Sequence, residues 1–249
     1  LCKPFFNCEE CLMSSFPADF PIAKQWPPQH PDRIQLYSLA TPNGVKISIA
    51  LEELGLPYEA HKVDFSTQAQ LTPEFLSLNP NNKIPAMIDP HGPQGEALGV
   101  FESGAILIYL AEKTGRLLPA EGALRYQALQ WLMWQMGGLG PMFGQLGFFH
   151  KFAGSEYEDK RPRDRYVSES RRLLGVLDRH LQGRDWMLGQ GEAAYSVADI
   201  AIFPWVNNLI GFYEAGELVG FSEFKQVQRV LSAFLQRPAV QRGLNIPPR

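Results

Sequence analysis

IQLYSLATPNGVKISIALEELG, residues 34–55, changes its apolar period halfway along. Ile34-Gln35-Leu36-Tyr37 alternates apolar and polar positions as a short strand does. Thr41-Pro42-Asn43-Gly44 breaks that period, and from Val45 to Leu54 the spacing through Val45, Ile49 and Leu51–Leu54 is helical until Gly55 stops it. The stretch therefore reads as strand, turn, helix. Downstream, Tyr58–Val63 alternates again as a second strand, and two strands joined through a helix make a βαβ unit.

The pattern continues with a polar loop, a helix-like Pro73–Leu78 and an apolar strand at Ile84–Ile88. A turn cluster, HGPQG (91–95), leads to a returning strand at Ala97–Phe101, so the last two strands should form an antiparallel hairpin. Ser103 to Thr114 is rich in Ala, Ile and Leu and is ended by Gly115. The order β-α-β-α-β-β-α within residues 33–116 is that of a thioredoxin-like α/β domain. From Leu117 to Arg249 the readable periods are helical, which predicts an all-α second domain: Tyr126–Met136, interrupted at Gly137-Gly138 and Gly140-Pro141; amphipathic Arg165–Leu181; apolar Ser196–Ile210; and Phe224–Gln236. Ser196-Val-Ala-Asp199 reads as a capping box opening the third of these. Upstream, Pro17, Pro21, Pro27, Pro28 and Pro31 forbid helix and predict an extended arm lying over the surface, so residues 1–32 form an extension ahead of the two domains.

Composition narrows the class of partner. Apolar residues make up 45% and charged residues 20% of the 249, enough for a substantial core and contrary to disorder. The formal net charge of −3 argues against nucleic acid as the main partner. Apolar runs stay well below the about 18 residues of a membrane span, and the start of the sequence lacks a signal-peptide pattern, so a soluble, cytoplasmic protein is expected. Cys2, Cys8 and Cys11 all precede Met13, itself a plausible natural start; Cys8-x-x-Cys11 lacks a second ligand pair at metal spacing, and no metal is expected.

Three short motifs carry candidate chemistry. Thr41-Pro42-Asn43-Gly44 stands between a strand and a helix N-terminus, where free N–H groups and the helix dipole favour an anion such as a thiolate or carboxylate. The Thr41 hydroxyl and the Asn43 amide can both donate to sulfur; helix capping alone uses the same residue types. In NNKIPA (81–86), a proline at the start of an apolar strand makes Ile84–Pro85 a candidate cis bond. That geometry would turn the Ile84 backbone outward toward an extended peptide-like ligand, unless Pro85 is an ordinary edge-strand proline. In FESGAIL (101–107), Ser103 at a helix start suits a carboxylate and Glu102 an ammonium, together an amino-acid head group, again with capping as the alternative.

The order of these motifs, TPNG, then NPNNKIPA, then FESGAILIYLAEK, with WLMWQMGGLGPM beyond them, resembles the glutathione transferase family over about residues 33–243. Within it, the chain is similar to nu-class bacterial members that act as glutathione-dependent disulfide-bond oxidoreductases. The resemblance implies a thioredoxin-like domain that binds glutathione, a helical domain completing a second-substrate pocket, and a homodimer. It also implies that Thr41 and Asn43 lie at the glutathione sulfur, that Gln70, Lys83, Ile84 and Pro85 lie along the tripeptide, that Glu102 and Ser103 hold the γ-glutamyl end, and that Arg165 reaches the ligand from the helical domain.

Other classes of the family place a Tyr, Ser or Cys at the sulfur. Here Tyr37 belongs to the alternating strand and reads as core, Ser38 follows it, and the folded body lacks cysteine, so sulfur chemistry has to come from bound glutathione. The implied activity is reduction of a small disulfide by glutathione. Conjugation of glutathione to an electrophile and non-catalytic ligand binding are the alternatives. Arg161, Arg163, Arg171 and Arg172 read as a solvated helix face. His150, in FFHKF (148–152), reads as a loop histidine either at the second-substrate pocket or incidental, and Trp131, Trp134 and Trp205 read as core.

Overall fold

The computed structural model describes Phe16 and residues 18–248. Cys2, Cys8 and Cys11 lie outside them. The chain from Arg33 to Gly115 forms β1 (Ile34–Ser38), α1 (Pro42–Leu54), β2 (Tyr58–Lys62), α2 (Pro73–Leu78), β3 (Ala86–Asp89), β4 (Leu98–Phe101) and α3 (Ser103–Thr114). Strand order is β2-β1-β3-β4, with β1 parallel to β2 and the other two pairings antiparallel. This is the thioredoxin-like arrangement expected from the element order. The helix after β1 starts three residues earlier than its apolar period, because Thr41 caps it and Pro42 fills a first-turn position where a missing N–H costs nothing.

The alternation in β1 does not mark a solvent face. All five of its residues are buried, because each face of the sheet is covered. Leu36 and Met87 pack with α1 and α3. On the other face Tyr37, Ala86 and Ile88 pack with α2 and with the arm through Phe16, Phe20, Ile22 and Trp26. Gln35, on the arm side, satisfies its amide by donating to the carbonyls of His30 and Arg33 and pairing with His61 Nε2 at 2.7 Å.

The arm is correspondingly more than a surface strap. Among its described residues the proline-rich arm forms one 3₁₀ turn, Pro21–Lys24, with Pro21 in the first position. Ile22 in that turn is fully buried, worth about 1.5–3 kcal/mol relative to an exposed side chain. Trp26 stacks edge-on against Tyr37 and Phe75 and donates from Nε1 to the Lys62 carbonyl at 3.1 Å. The Glu59 carboxylate accepts the N–H groups of Gln29 and His30.

The remainder is helical: α4 (Gly122–Trp134), α5 (Gly140–His150), α6 (Arg161–His180), α7 (Val197–Ile210), α8 (Lys225–Gln236) and α9 (Pro238–Gly243). Gly137-Gly138 and Gly140-Pro141 do not interrupt it as expected. Residues Gln135–Leu139 form a π-turn that joins α4 to α5, and Pro141 falls in the opening turn of α5. His150 is the last residue of α5 rather than part of a loop.

Ser196 and Asp199 complete both halves of the capping box that opens α7. That helix is buried almost along its whole length, and it packs against α1, α4 and α5. α9 returns to α1: Ser48 Oγ donates to the Gly243 carbonyl at 2.6 Å, and a Cβ on Gly243 would lie 2.6 Å from the Ile49 nitrogen, so the two backbones meet where only glycine fits. Among the described residues no helix is long and apolar enough to cross a membrane.

Candidate functional site

The N-terminus of α1 stands where the sheet half meets α7, and two cavities adjoin there. One of about 590 Å³ is lined by Thr41, Asn43, Phe65, Phe152, Trp205 and Phe212 among others. The second, about 320 Å³, is lined by Asn43, Glu102, Gln135, Met136, Gln145 and Trp205 among others. Asn43 and Trp205 belong to both, so they form the wall between them. A further cleft of about 460 Å³ opens beside Thr41 and Pro42 toward Asn207, Asn208 and Asn245.

Thr41 serves as the N-cap of α1, its Oγ1 accepting from the Gly44 N–H at 3.3 Å. Accepting leaves its own hydroxyl hydrogen available, so capping and ligand contact are compatible rather than alternatives. Gly44 is required by close approach, since a Cβ there would lie 1.9 Å from the Leu39 carbonyl oxygen. Asn43 Oδ1 accepts from Trp205 Nε1 at 2.9 Å. Indole N–H only donates, so this bond fixes which end of the amide is which and leaves the Asn43 NH₂ as a donor between the cavities with no hydrogen-bond partner among the described residues.

The head of α3 resolves the capping question for the other motif. Glu102, not Ser103, occupies the N-cap position, and its side chain makes no capping hydrogen bond among the described residues. Glu102 also has φ 72° and ψ 116°, a conformation costly for a side-chain-bearing residue and concentrated at functional sites. Ser103 is the first helical residue and is buried, with Oγ 3.2 Å from Lys46 Nζ and 3.5 Å from Met136 Sδ. The free N–H groups of the helix start remain beside Glu102.

Lys46 is the residue that sequence reading passed over. It lies in α1 one turn after Asn43, fully buried, with Nζ 2.5 Å from Gln135 Oε1 and 3.4 Å from Met136 Sδ as well as facing Ser103. Burial pulls its ammonium from the usual 10.5 down to about 7, against the opposing attraction of Glu102. The one available signal was a lysine inside GVKISIAL, an otherwise unbroken buried run. Gln135 and Met136 reach this place through the π-turn, and Trp205 comes from α7; spacing carries no sign of either.

Of the other expected contacts, the Ile84–Pro85 bond is cis. Gln70 is half-buried, and its Oε1 has no hydrogen-bond partner among the described residues. Lys83 is exposed, and its carbonyl accepts from Asn79 Nδ2 at 2.6 Å. Arg165 does not join the cluster: its side chain is 65% exposed and pairs with Glu169 one helical turn on, at 3.5 Å. Arg161, Arg163 and Arg172 are likewise paired with carboxylates of their own neighbourhood, and Arg171 pairs with Glu223. Phe152, not His150, lines the larger cavity. Tyr37 is fully buried in the arm-side core, stacked on His61, with a hydroxyl lacking a partner among the described residues; burial pushes that hydroxyl far above its ordinary value. Ser38 is buried as well, its Oγ donating to the Leu39 carbonyl at 3.4 Å.

Comparison with known proteins bears on the family and the fold. Residues 33–112 match the glutathione S-transferase N-terminal domain family. The chain is 50% identical over 176 residues to the disulfide-bond oxidoreductase YfcG of Escherichia coli (strain K12), covering 70% of this chain and 79% of that protein. It is 40% identical over 224 residues to YghU of the same organism, covering 86% and 74%. Among solved structures, a glutathione transferase from Pseudomonas putida with one glutathione disulfide bound per subunit superposes with a TM-score of 0.89 at 69% identity, covering 92% of this chain and 98% of that one. A glutathione transferase from Burkholderia graminis with two glutathione molecules per subunit gives a TM-score of 0.91 at 70% identity, covering 95% and 97%. A thioredoxin-like sheet, a following helical half and these relatives together place the chain in the glutathione transferase family, close to the disulfide-bond oxidoreductases YfcG and YghU.

Proposed function

We propose that the protein binds glutathione with its sulfur at Thr41 and Asn43 and its γ-glutamyl end at Glu102 and Ser103, and uses it to reduce a small disulfide held in the larger cavity. The observation that carries this reading is the placement of the Asn43 amide donor on the wall shared by two cavities, one bounded by Glu102 and the other by aromatic side chains. A glutathione spanning them would present its thiol to the second substrate. In this reading residues 33–116 hold glutathione and 117–249 complete the second pocket, with residues 1–32 as the arm. Gln70, Ile84 and Lys83 run along the tripeptide, and the unpartnered Gln70 Oε1 offers it an acceptor.

A thiol of pKa about 8.5 is mostly protonated at neutral pH, so donors and a helix N-terminus at the sulfur raise the thiolate fraction. The thiolate attacks one sulfur of the disulfide, the S–S bond breaks, and the departing thiolate takes a proton from water, leaving a mixed disulfide with glutathione. A second glutathione attacks the glutathione sulfur of that mixed disulfide and releases the other thiol with glutathione disulfide. Two electrons pass from two glutathiones to one substrate disulfide. The bound species in the P. putida and B. graminis relatives are the product and the substrate pair of this cycle.

Tyr126, Met133 and Leu124, 71%, 52% and 50% exposed on α4, favour a second copy of this chain as the partner of that helix, giving the homodimer. The cytoplasm, where glutathione is kept reduced, is the compartment that suits the activity.

The test combines activity with binding. Glutathione-coupled reduction of hydroxyethyl disulfide should exceed conjugation of chlorodinitrobenzene; the reverse order would make the protein a conjugating transferase. Ser103→Ala should weaken glutathione binding roughly 10–150-fold, the cost of a lost hydrogen bond to a charged group. A Ser103→Ala protein that binds as tightly as wild type would remove Ser103 from the γ-glutamyl site.

A further inference from the structure

Lys46 carries a titratable amine buried between the two halves of the molecule, and among the described residues no carboxylate is one of its hydrogen-bond partners. Its Nζ faces Ser103 Oγ at 3.2 Å, Gln135 Oε1 at 2.5 Å and Met136 Sδ at 3.4 Å. Two of those partners, Gln135 and Met136, line the smaller cavity together with Glu102. An ammonium has three hydrogens and only donates. It therefore occupies the Ser103 oxygen as an acceptor, and the weak 3.5 Å contact to Met136 Sδ is the competing destination for the Ser103 hydrogen. A stronger acceptor arriving from the cavity would draw that hydrogen outward.

Buried cations are costly unless an anion compensates them. Glu102, at the head of α3, is the charged group acting on Nζ. The π-turn contributes neutral Gln135 and Met136, and α3 contributes neutral Ser103. Glu102, however, is exposed and is committed in the proposed reading to the ligand's ammonium. Charge balance at the floor of the cavity is complete only when a second negative group joins it.

We propose that Lys46 is a positioning residue of the head-group site: from below, its ammonium turns the Ser103 hydroxyl into an outward donor and supplies the positive charge above which an α-carboxylate settles. The proposal rests on the glutathione reading given above. Its ligand class is a zwitterionic amino-acid head group, with Glu102 selecting the ammonium and the Lys46–Ser103 pair selecting the carboxylate.

Binding is then coupled to a proton. In the free protein burial pulls the Lys46 ammonium down to about 7, and a carboxylate arriving above it favours the charged form, so at pH 7.5 the complex holds more of this proton than the free protein does. S-methylglutathione is the probe, since it has the head group and no thiol to titrate. Calorimetric titration at pH 7.5 in two buffers of different ionisation enthalpy should show uptake of about half a proton or more per ligand bound by wild type. Lys46→Met should bind about ten-fold more weakly and show no uptake. Lys46→Arg, which keeps the charge but cannot titrate, should bind more tightly than Lys46→Met and also show none.

Wild-type binding without proton uptake, or a folded Lys46→Met with unchanged affinity and unchanged uptake, would overturn the role of Lys46 while leaving the glutathione site standing. Absence of wild-type binding would overturn that site and this inference with it. Should Lys46→Met fail to fold, the wild-type uptake decides alone.

Discussion

Asn43 has its amide oriented by Trp205, a residue 162 positions away. That bond makes Asn43 more than a residue favourable to a turn: with Oδ1 engaged, its NH₂ is oriented as a donor, and in the proposed reading it meets the glutathione sulfur as a preorganised donor. Asn43→Ala is therefore expected to lower kcat for disulfide reduction by about ten-fold, equivalent to about 1.4 kcal/mol, with a smaller change in glutathione affinity. Trp205→Phe keeps the ring in its packed place and removes only the N–H, so steady-state kinetics should show part of the same loss in kcat at near-normal KM. If Asn43→Ala turns over as wild type does while Tyr37→Phe is inactive, the sulfur sits elsewhere. At this scale Thr41, Asn43, Glu102 and Ser103 were readable because helix starts and opposite charges advertise themselves locally. Lys46 and Trp205 were not, since both act through contacts between distant parts of the chain.

Among the elements, α7 depends most visibly on a single side chain. Asp199 accepts from Met187 N at 2.9 Å and from the N–H and Oγ of Ser196 at 2.9 and 3.0 Å, while buried completely. Burial pushes its carboxyl up to about 7, and those three donors pull against it. Asp199→Ala strands buried N–H groups and ends the capping box, so urea unfolding should report a loss of about 3 kcal/mol or more. The folded value lies above the ordinary 3.8, so the unfolded chain releases this proton first. The Asp199 share of stability is thus full below pH about 4 and falls as pH rises to about 7. Unfolding midpoints of wild type relative to Asp199→Asn should decline across that interval, and a flat difference would place the ionised form in the native state. The capping box was legible in four adjacent residues. The π-turn was not, because GGLGP reads locally as a break, whereas in the structure the helix runs on through it with Gly140 so close to Gln135 that a Cβ there would lie 2.5 Å from Gln135 Nε2.

For the molecule as a whole, the union of sheet half and helical half is tightened by Arg237. It pairs with Glu53 of α1 at 2.6 and 3.0 Å and with Glu192 at 2.6 Å, and its guanidinium lies 3.7 Å from the Tyr195 ring centroid. Arg237→Ala is expected to cost about 2–4 kcal/mol in chemical denaturation, and Arg237→Lys most of that, because an ammonium cannot both fork to Glu53 and stack. A single cooperative transition in the wild type would accompany this. The division into a strand-bearing half and a helical half was visible in the change of apolar period. Which residues of the two halves meet was not, since pairs such as Glu53 and Arg237 join positions 184 apart; nor was the full burial of β1, which looks half-exposed in sequence yet has the arm on one face and α1 and α3 on the other.

The meeting of Ser48 and Gly243 spans 195 residues, and it has a consequence during synthesis. At about 5–20 residues per second a ribosome needs roughly 10–40 s to travel that distance. For most of that interval α1 lacks the helix that seats it, and an apolar flank including Ile49 is open to water or to a chaperone. The first helix thus gains its last support only once α9 has been made, so polypeptides truncated before Pro238 would carry TPNG and FESGAIL with α1 lacking the partner on that flank.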